Sequence, residues 1–319
     1  MGDDLDAART RLYLFLRRDR TWLVDGLSFT QYTGTLESAF AKGQIAGGVA
    51  MLTGALGGGV VAQVTNLGVP YIVRAVLLAL TCLVAFTAMH DVGFTPRREA
   101  SVPTAMRRIL SSSLDQGFRN PPVRWLMLAA PFSGGVGIYA FYAMQPYLLE
   151  LYGARASYTI AGLAAAIVAG AQIVGGYLAP YMRMLFQRRT TLLLAGVVSS
   201  AVVLALIGLV SNFWIALGLL SAWGIVFAAT APVRQAYLNG LIPSEQRATV
   251  LSSDNLLSSS GGVVVQPALG RAADAWGYAT SYVVGAGIEL LALPFILLAR
   301  RERAVTDPIR ERQEQTPDQ

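Results

Sequence analysis

Apolar residues lie in eight long blocks separated by polar connections. Each block holds roughly 20 residues, and an α-helix of that length rises about 1.5 Å per residue, enough to cross a hydrocarbon core of about 30 Å. The pattern therefore predicts an all-α membrane protein, a helical bundle with about eight transmembrane helices. The predicted helices cover residues 43–63, 69–90, 125–149, 157–180, 190–210, 212–236, 250–270 and 277–299.

The lengths of the connections predict which helices are neighbours. The short connections at 65–68, 152–157 and 211–213 each join two adjacent, antiparallel helices. The connection after residue 90 is long, and it leaves two helices before it and six after it. The predicted units are an N-terminal cytoplasmic segment (1–42), two helices (43–90), a cytoplasmic linker (91–124), a six-helix unit (125–299) and a charged, disordered cytoplasmic tail (300–319).

Basic residues fall almost entirely on one side of the predicted membrane. Of the 25 arginine and lysine residues, 22 lie in the segments of one side, Arg155 and Arg271 lie on the other, and Arg74 lies within a helix. Basic connections stay in the cytoplasm during insertion. We expect a multi-pass protein of a bacterial cell membrane with both termini in the cytoplasm.

Composition agrees with a bilayer environment and excludes several kinds of function. The chain is 54% hydrophobic and 14% charged, whereas soluble domains carry about 25% charged residues. The chain has one cysteine, Cys82, and one histidine, His90. It therefore cannot form a disulfide framework or a metal site built from cysteine and histidine ligands. The glycine-rich stretches lack the Gly-Lys-Ser/Thr of a phosphate loop. We therefore expect no cofactor, no metal, no enzymatic activity and no nucleic-acid partner.

Two stretches resemble drug-efflux-like members of the major facilitator superfamily of transporters. One is GLIPSEQRATVLSSDNLLSSSGGVVVQPALGRAADAWG (240–277), and the other is YAFYAMQPYLLELYGA (139–154). Six helices after a long basic loop also resemble the C-terminal half of such a transporter. The resemblance covers roughly residues 22–300, and Arg247 and Thr249 match its cytoplasmic loop motif.

The resemblance implies a secondary transporter that moves a small, amphipathic molecule by alternating access, with efflux as the expected direction and the proton as the candidate coupling ion. It also implies that helices 43–63 and 69–90 are the fifth and sixth of the family, so that the first helices are absent and residues 1–42 are a remnant of a truncated half. Two alternatives stay open: a fragment that does not transport, and a membrane enzyme, disfavoured because Glu289 is the only deep carboxylate.

Polar side chains in membrane helices need partners or a cavity, so they are candidate site residues. Trp223, Thr230 and Arg234 recur at intervals of seven and four residues and share one helix face with Tyr237. The resemblance implies that this helix lines the central cavity, which makes these residues candidates for substrate contact. The alternative is that Arg234 is an anchor at the lipid headgroups and Trp223 a packing residue.

A second group of candidates lies in the predicted helix 125–149. Tyr139, Tyr142 and Gln145, with Phe141 beside them, combine aromatic rings and an amide, which suits a moderately apolar ligand. The alternative is an aromatic belt at the membrane interface. Gln172 is a further cavity candidate, and the alternative for it is a hydrogen bond between helices.

Glu289 lies within the last predicted helix, where a central charge costs about 2.5–3.5 kcal/mol on insertion scales. It is a candidate for proton coupling, and the alternative is a protonated or paired structural carboxyl group. Glycines at GALGGG (54–59), SGGVG (133–137), GAQIVGG (170–176) and GG (261–262) predict close helix packing.

Overall fold

The computed structural model describes residue 27 and residues 34–66, 68–88, 117–153 and 158–309. Most of the predicted N-terminal segment and linker therefore lies outside the described residues. Within them the chain is helical, apart from turns, caps and one isolated bridge between Arg188 and Pro308. The all-α class predicted from the sequence is confirmed.

Eight helices follow one another along the described chain. The first six match the first six predicted apolar blocks, the seventh covers the predicted block 250–270 and most of the block 277–299, and the eighth covers the end of the latter. The main differences are extra turns at helix ends: the first helix begins seven residues before its predicted start, and the fourth and sixth each end five residues later than predicted. The helices are α1 (Leu36–Val64), α2 (Gly68–Ala88), α3 (Pro121–Tyr152), α4 (Tyr158–Leu185), α5 (Arg189–Leu209), α6 (Phe213–Leu241), α7 (Ser244–Leu290) and α8 (Leu293–Arg301).

Helix α7 is interrupted at Gly277, which has a φ of 85° that other residues rarely adopt. A Cβ placed on Gly285 would lie 3.5 Å from Leu269 Cδ1. In a straight helix, 16 residues would separate these two positions by about 24 Å along the axis. The chain therefore reverses direction at Gly277, dividing α7 into a first arm (244–276) and a second arm (278–290) that α8 continues.

Six helical stretches among the described residues are long and apolar enough to cross a membrane. The last of them, Thr249–Arg301, has 53 residues and includes the reversal at Gly277, so it is long enough for two crossings. No residue in the apolar window of α2 is buried, and the helix shows apolar side chains on every side. A helix of this composition is stable only in a non-aqueous environment.

The first arm of α7 crosses α3 with almost no space between the two backbones. A Cβ on Gly261 would lie 2.0 Å from the Pro131 carbonyl oxygen, and one on Gly135 would lie 2.8 Å from the Gly261 carbonyl oxygen. The close packing predicted for SGGVG and GG is confirmed. Gly175 and Gly176 likewise lie against α6 and α1, as predicted for GAQIVGG. A Cβ on Gly54, Gly57 or Gly58 would meet no described atom within 4 Å, so packing by GALGGG is not seen in the described part of the chain.

The ends of α3 to α8 that carry Arg124, Arg188, Arg189, Arg247 and Arg301 meet on one side of the bundle, here called the basic end. Contacts across it include Asn120 Nδ2 donating to the Leu241 carbonyl at 3.0 Å and Trp125 Nε1 donating to Glu302 Oε1 at 3.1 Å. Helix α8 and residues 302–309 pack here, so the disorder predicted for the tail is wrong as far as residue 309. Residues 310–319 lie outside the described chain.

The crossing of α3 and α7 can be tested by adding one methyl group. Gly261→Ala should lower the free energy of unfolding by about 1–3 kcal/mol, because the new Cβ must push the two backbones apart. Gly270→Ala, in the same arm, is the matched control, because a Cβ there meets no described atom within 4 Å. Thermal unfolding in a mild detergent measures the stability of both variants. A Gly261→Ala protein that melts at the same temperature as the Gly270→Ala control would contradict the close crossing.

Candidate functional site

An open wall of aromatic and amide side chains spans α3 and α6. Phe141, Tyr142 and Gln145 are exposed on α3, with Tyr142 68% exposed, and Phe227 on α6 is 46% exposed. A Cβ on Gly137 would lie 3.0 Å from Phe227 Cε2, so the Phe227 ring lies against α3 one turn from Phe141. We call Phe141, Tyr142, Gln145 and Phe227 the open wall.

Tyr139 lies in a buried cluster and not on the open wall. Its hydroxyl donates to Ser281 Oγ on the second arm of α7, and its ring centroid is 6.2 Å from that of Tyr282. In the same cluster, the Tyr147 hydroxyl donates to the carbonyls of Ile207 and Val210 at 2.9 and 3.1 Å. Ile207 lies in the last turn of α5, where its carbonyl also accepts from the Val210 N–H, and Val210 is the residue that follows the helix. The cluster therefore holds α3, α5 and α7 together.

Trp223 and Thr230 contact α5. Trp223 Nε1 donates to Ser200 Oγ at 3.1 Å, and a Cβ on Gly196 would lie 2.5 Å from Thr230 Cγ2. The Trp223 ring also stacks on Phe227 with 5.6 Å between ring centroids. Trp223 therefore supports the open wall from behind, and direct substrate contact by Trp223 and Thr230 stays a prediction.

Arg234 forms an ion pair with Asp254 that bridges α6 and the first arm of α7. Arg234 Nη1 donates to Asp254 Oδ2 at 2.8 Å and Nη2 donates to Oδ1 at 2.6 Å. Nη2 also approaches the Leu126 carbonyl of α3 at 3.4 Å. The side chains are 30% and 6% exposed. A two-pronged pair of this kind offsets much of the cost of removing both charges from water.

Asp254 corrects the expectation that Glu289 is the only deep carboxylate, because the Asp254 residue is only 4% exposed. The sequence holds a signal that could have found it. Arg234 lies seven residues before the end of α6, and Asp254 lies ten residues after the start of α7. Because only Ile242 and Pro243 separate these antiparallel helices, the two side chains lie at similar depths.

Glu289 is 5% exposed on the second arm of α7, where its carboxyl group lies near the Ser133 hydroxyl of α3. Ser133 and Tyr142 are nine residues apart, which places them on opposite sides of an α-helix. Glu289 therefore lies across α3 from Tyr142, and its role in proton coupling stays a prediction.

The other three predicted site residues make contacts between or within helices. Gln172 Nε2 of α4 approaches Met51 Sδ of α1 at 3.6 Å, so Gln172 lies between these helices. Arg247 Nη2 donates to the Ile242 carbonyl at 3.4 Å, and the Thr249 carbonyl accepts from Ser253 Oγ at 3.1 Å. The last two contacts stabilise the start of α7.

The basic end contains a charged network that the sequence did not reveal. Glu37, buried in the first turn of α1, pairs with Arg189 at the start of α5, with 2.6 Å between Oε1 and Nε. Arg189 Nη1 also donates to the carbonyls of Thr306 and Pro308. The network therefore joins α1, α5 and the segment after α8.

Asp307 in that segment caps the N-terminus of α5. Its Oδ1 accepts from the Thr190 backbone N–H at 2.9 Å, and its Oδ2 accepts from the Thr190 hydroxyl at 3.0 Å. A carboxylate at this position satisfies an N–H that has no partner within the helix and interacts favourably with the helix dipole. Among the described residues, no three His, Cys, Asp or Glu side chains are grouped so that they could hold a metal ion.

Apolar helices of bilayer length, several of whose buried polar side chains are paired between helices, define a multi-pass α-helical membrane protein. The family model described as Major Facilitator Superfamily matches residues 156–318, just over half of the chain. The chain belongs to this superfamily and is a membrane transporter of that kind. Its members are transporters rather than enzymes; they bind small molecules and often couple to ions. No curated protein matches the chain.

The Arg234–Asp254 pair predicts a non-additive effect on stability. Arg234→Leu or Asp254→Leu alone should lower the free energy of unfolding by about 2–4 kcal/mol, because each leaves a charge without its counter-ion. The double variant should lose less free energy of unfolding than either single variant. Thermal unfolding of the unchanged protein, the two single variants and the double variant in detergent measures this. If the losses of the two single variants add up in the double variant, the two side chains do not interact.

The cap on α5 predicts a local effect. Asp307→Ala should lower the free energy of unfolding by about 1 kcal/mol and speed hydrogen exchange at the Thr190 amide, because that N–H loses its acceptor. Asp274→Ala removes an exposed carboxylate near the opposite end and is the control. Unchanged exchange at Thr190 in the Asp307 variant would contradict the cap.

Proposed function

We propose that this transporter moves a small, moderately apolar organic molecule by alternating access, and that the open wall forms part of its binding cavity. The observation that carries the proposal is the exposure of Phe141, Tyr142 and Phe227 together with Gln145 on two neighbouring helices. Aromatic rings provide contact area for an apolar body, and one amide provides directional hydrogen bonds. Belonging to a family of small-molecule transporters supports this interpretation.

We also propose that the basic end faces the cytoplasm and that the direction of transport is export. The placement of 22 of 25 basic residues on one side supports the orientation. The likeness of residues 139–154 and 240–277 to drug-efflux members supports export. Glu289 is the proposed proton carrier, supported by its burial between the second arm of α7 and α3.

The contacts of α1 suggest which surfaces move. A Cβ on Gly48 of α1 would lie 2.8 Å from the Ala169 carbonyl oxygen of α4, and one on Gly176 of α4 would lie 2.9 Å from the Ala41 carbonyl oxygen of α1. Small residues on both sides let the two backbones approach closely, so we propose that α1 and α4 move together as one unit. At the basic end, the Glu37–Arg189 pair must separate whenever α1 moves away from α5.

Alternating access can be tested without knowing the substrate. Cys82 is the only cysteine of the chain, so Cys82→Ser provides a background for Tyr142→Cys and Gln145→Cys. In membrane vesicles of known orientation, a membrane-impermeant maleimide should label both positions whether it is added outside or inside. The reason is that a cavity residue meets water from each side in turn, and the thiolate that reacts forms only in contact with water.

Val202→Cys is the matched control, because Val202 is 52% exposed on α5 and is expected to face lipid, which keeps its thiol protonated and slow to react. The proposed function would be overturned if positions 142 and 145 are labelled as slowly as position 202. It would also be overturned if they are labelled from only one side of the membrane. Each variant is compared by size-exclusion chromatography first, so that loss of folding is not mistaken for loss of access.

A further inference from the structure

We propose that the transported molecule carries a carboxylate and that this group binds Arg234 while its apolar body lies on Phe227. This inference rests on the proposed function and narrows its substrate to organic acids with an aromatic or aliphatic body. It gives Arg234 a role in ligand binding beyond its structural ion pair. The contacts that support it are those of Arg234, Asp254 and Phe227.

Arg234 and Phe227 lie on the same face of α6. They are seven residues apart, which corresponds to about two helical turns and about 10 Å along the axis. Both side chains keep part of their surface accessible: the Phe227 ring is 46% exposed and the Arg234 side chain 30%. The face therefore presents an apolar surface and a cation at the separation of the two ends of a small amphipathic acid.

The guanidinium group has donors left for a ligand. It carries five N–H bonds. Nη1 and Nη2 each donate to one oxygen of Asp254, and Nη2 also approaches the Leu126 carbonyl. Both N–H bonds of Nη2 and one of Nη1 are thereby used, and among the described residues no group accepts from Nε, so Nε–H and the outer N–H of Nη1 remain for a ligand. These two donors lie on opposite sides of the guanidinium group, so a ligand carboxylate would accept one charge-assisted hydrogen bond from either of them.

The charges of the pair are unequally accessible. The Asp254 side chain is 6% exposed and the Arg234 side chain is 30% exposed. An approaching ligand therefore meets the positive member of the pair first, so that an acid gains more than a neutral amide of the same shape, and an amine is disfavoured. Asp254 at the same time limits the affinity, since a bound carboxylate shares the guanidinium with it.

These opposite influences distinguish ligand binding from a purely structural ion pair. If Arg234 binds the ligand, removing its charge weakens acid binding, and removing the charge of Asp254 strengthens it. If the pair only holds α6 against α7, both changes loosen the helices in the same way and affect acids and amides alike. Whether removal of the Asp254 charge strengthens or weakens acid binding therefore distinguishes the two interpretations.

The experiment uses the full chain, purified in detergent, and equilibrium dialysis against labelled 4-phenylbutyrate, 4-phenylbutanamide and 4-phenylbutylamine. We expect saturable binding of the acid, with the amide weaker by about tenfold or more and the amine weaker still. Arg234→Gln should reduce acid binding to the level of the amide. Asp254→Asn should bind the acid about three- to tenfold more tightly than the unchanged protein.

Arg271→Gln is the charge-matched control, because Arg271 is exposed about 25 Å along the first arm from Asp254 and should leave acid binding unchanged. Arg234→Lys keeps the positive charge but lacks the planar guanidinium group, and it should bind the acid with intermediate strength. This variant replaces Arg234→Gln in the test if Arg234→Gln does not fold. Equal binding of acid and amide, absence of saturable acid binding, or weaker acid binding by Asp254→Asn would overturn the inference.

The thiol-labelling result separates this inference from the function on which it rests. Two-sided labelling at positions 142 and 145 without a preference for the acid would leave alternating access intact and overturn only the role of Arg234. A preference for the acid that depends on Arg234, without two-sided labelling, would overturn transport through the open wall and leave Arg234 as a binding residue for carboxylates.

Discussion

The crossing of α3 and α7, where Gly261 faces the Pro131 carbonyl, sets the arrangement of the other helices. Backbones that approach this closely fix both the angle and the register of the two helices, because no side chain can adjust between them. The reversal at Gly277 then returns the second arm of α7 along another face of α3, which brings Tyr282 and Glu289 into contact with it. The tyrosine cluster is thus a consequence of this crossing, whereas the Arg234–Asp254 pair depends on the two-residue turn that joins α6 to α7.

The positions of the helices could be predicted from the sequence because a helix that crosses the bilayer needs an apolar segment of roughly 20 residues, and such segments are easily recognised. The glycine crossing could be predicted as well, because small residues let membrane helices approach closely, although the same argument also predicted packing at GALGGG that the described residues do not show. It was harder to predict which neighbouring helix the polar residues of each helix contact. Periodicity correctly grouped Trp223 and Thr230 on one side of α6, but it could not tell that this side meets α5. The rotation of a helix about its own axis depends on contacts with neighbours that are distant in sequence.

The charged pairs were missed for a related reason. Arg234 was interpreted as a possible headgroup anchor because it lies near the end of a helix, and Asp254 was not paired with it, although comparing depths across the short turn at Ile242 and Pro243 would have joined them. Glu37 and Asp307 lie more than 250 residues apart in segments assigned to polar surroundings. No local pattern indicates that both meet the start of α5, because their proximity arises only after the whole bundle has formed.

The order of Arg234 and Asp254 along the chain has a consequence for biosynthesis. Arg234 leaves the ribosome 20 residues before its counter-ion. A lone arginine in a membrane helix is costly, by up to about 2.5–3.5 kcal/mol at the centre on insertion scales. Arg234 lies seven residues before the end of α6, and its cost is relieved when the first arm of α7 arrives beside α6. Because the turn between them has two residues, the helices can enter the translocon as one hairpin with its charges already neutralised. The pair therefore makes α6 and the first arm of α7 a single unit of membrane insertion.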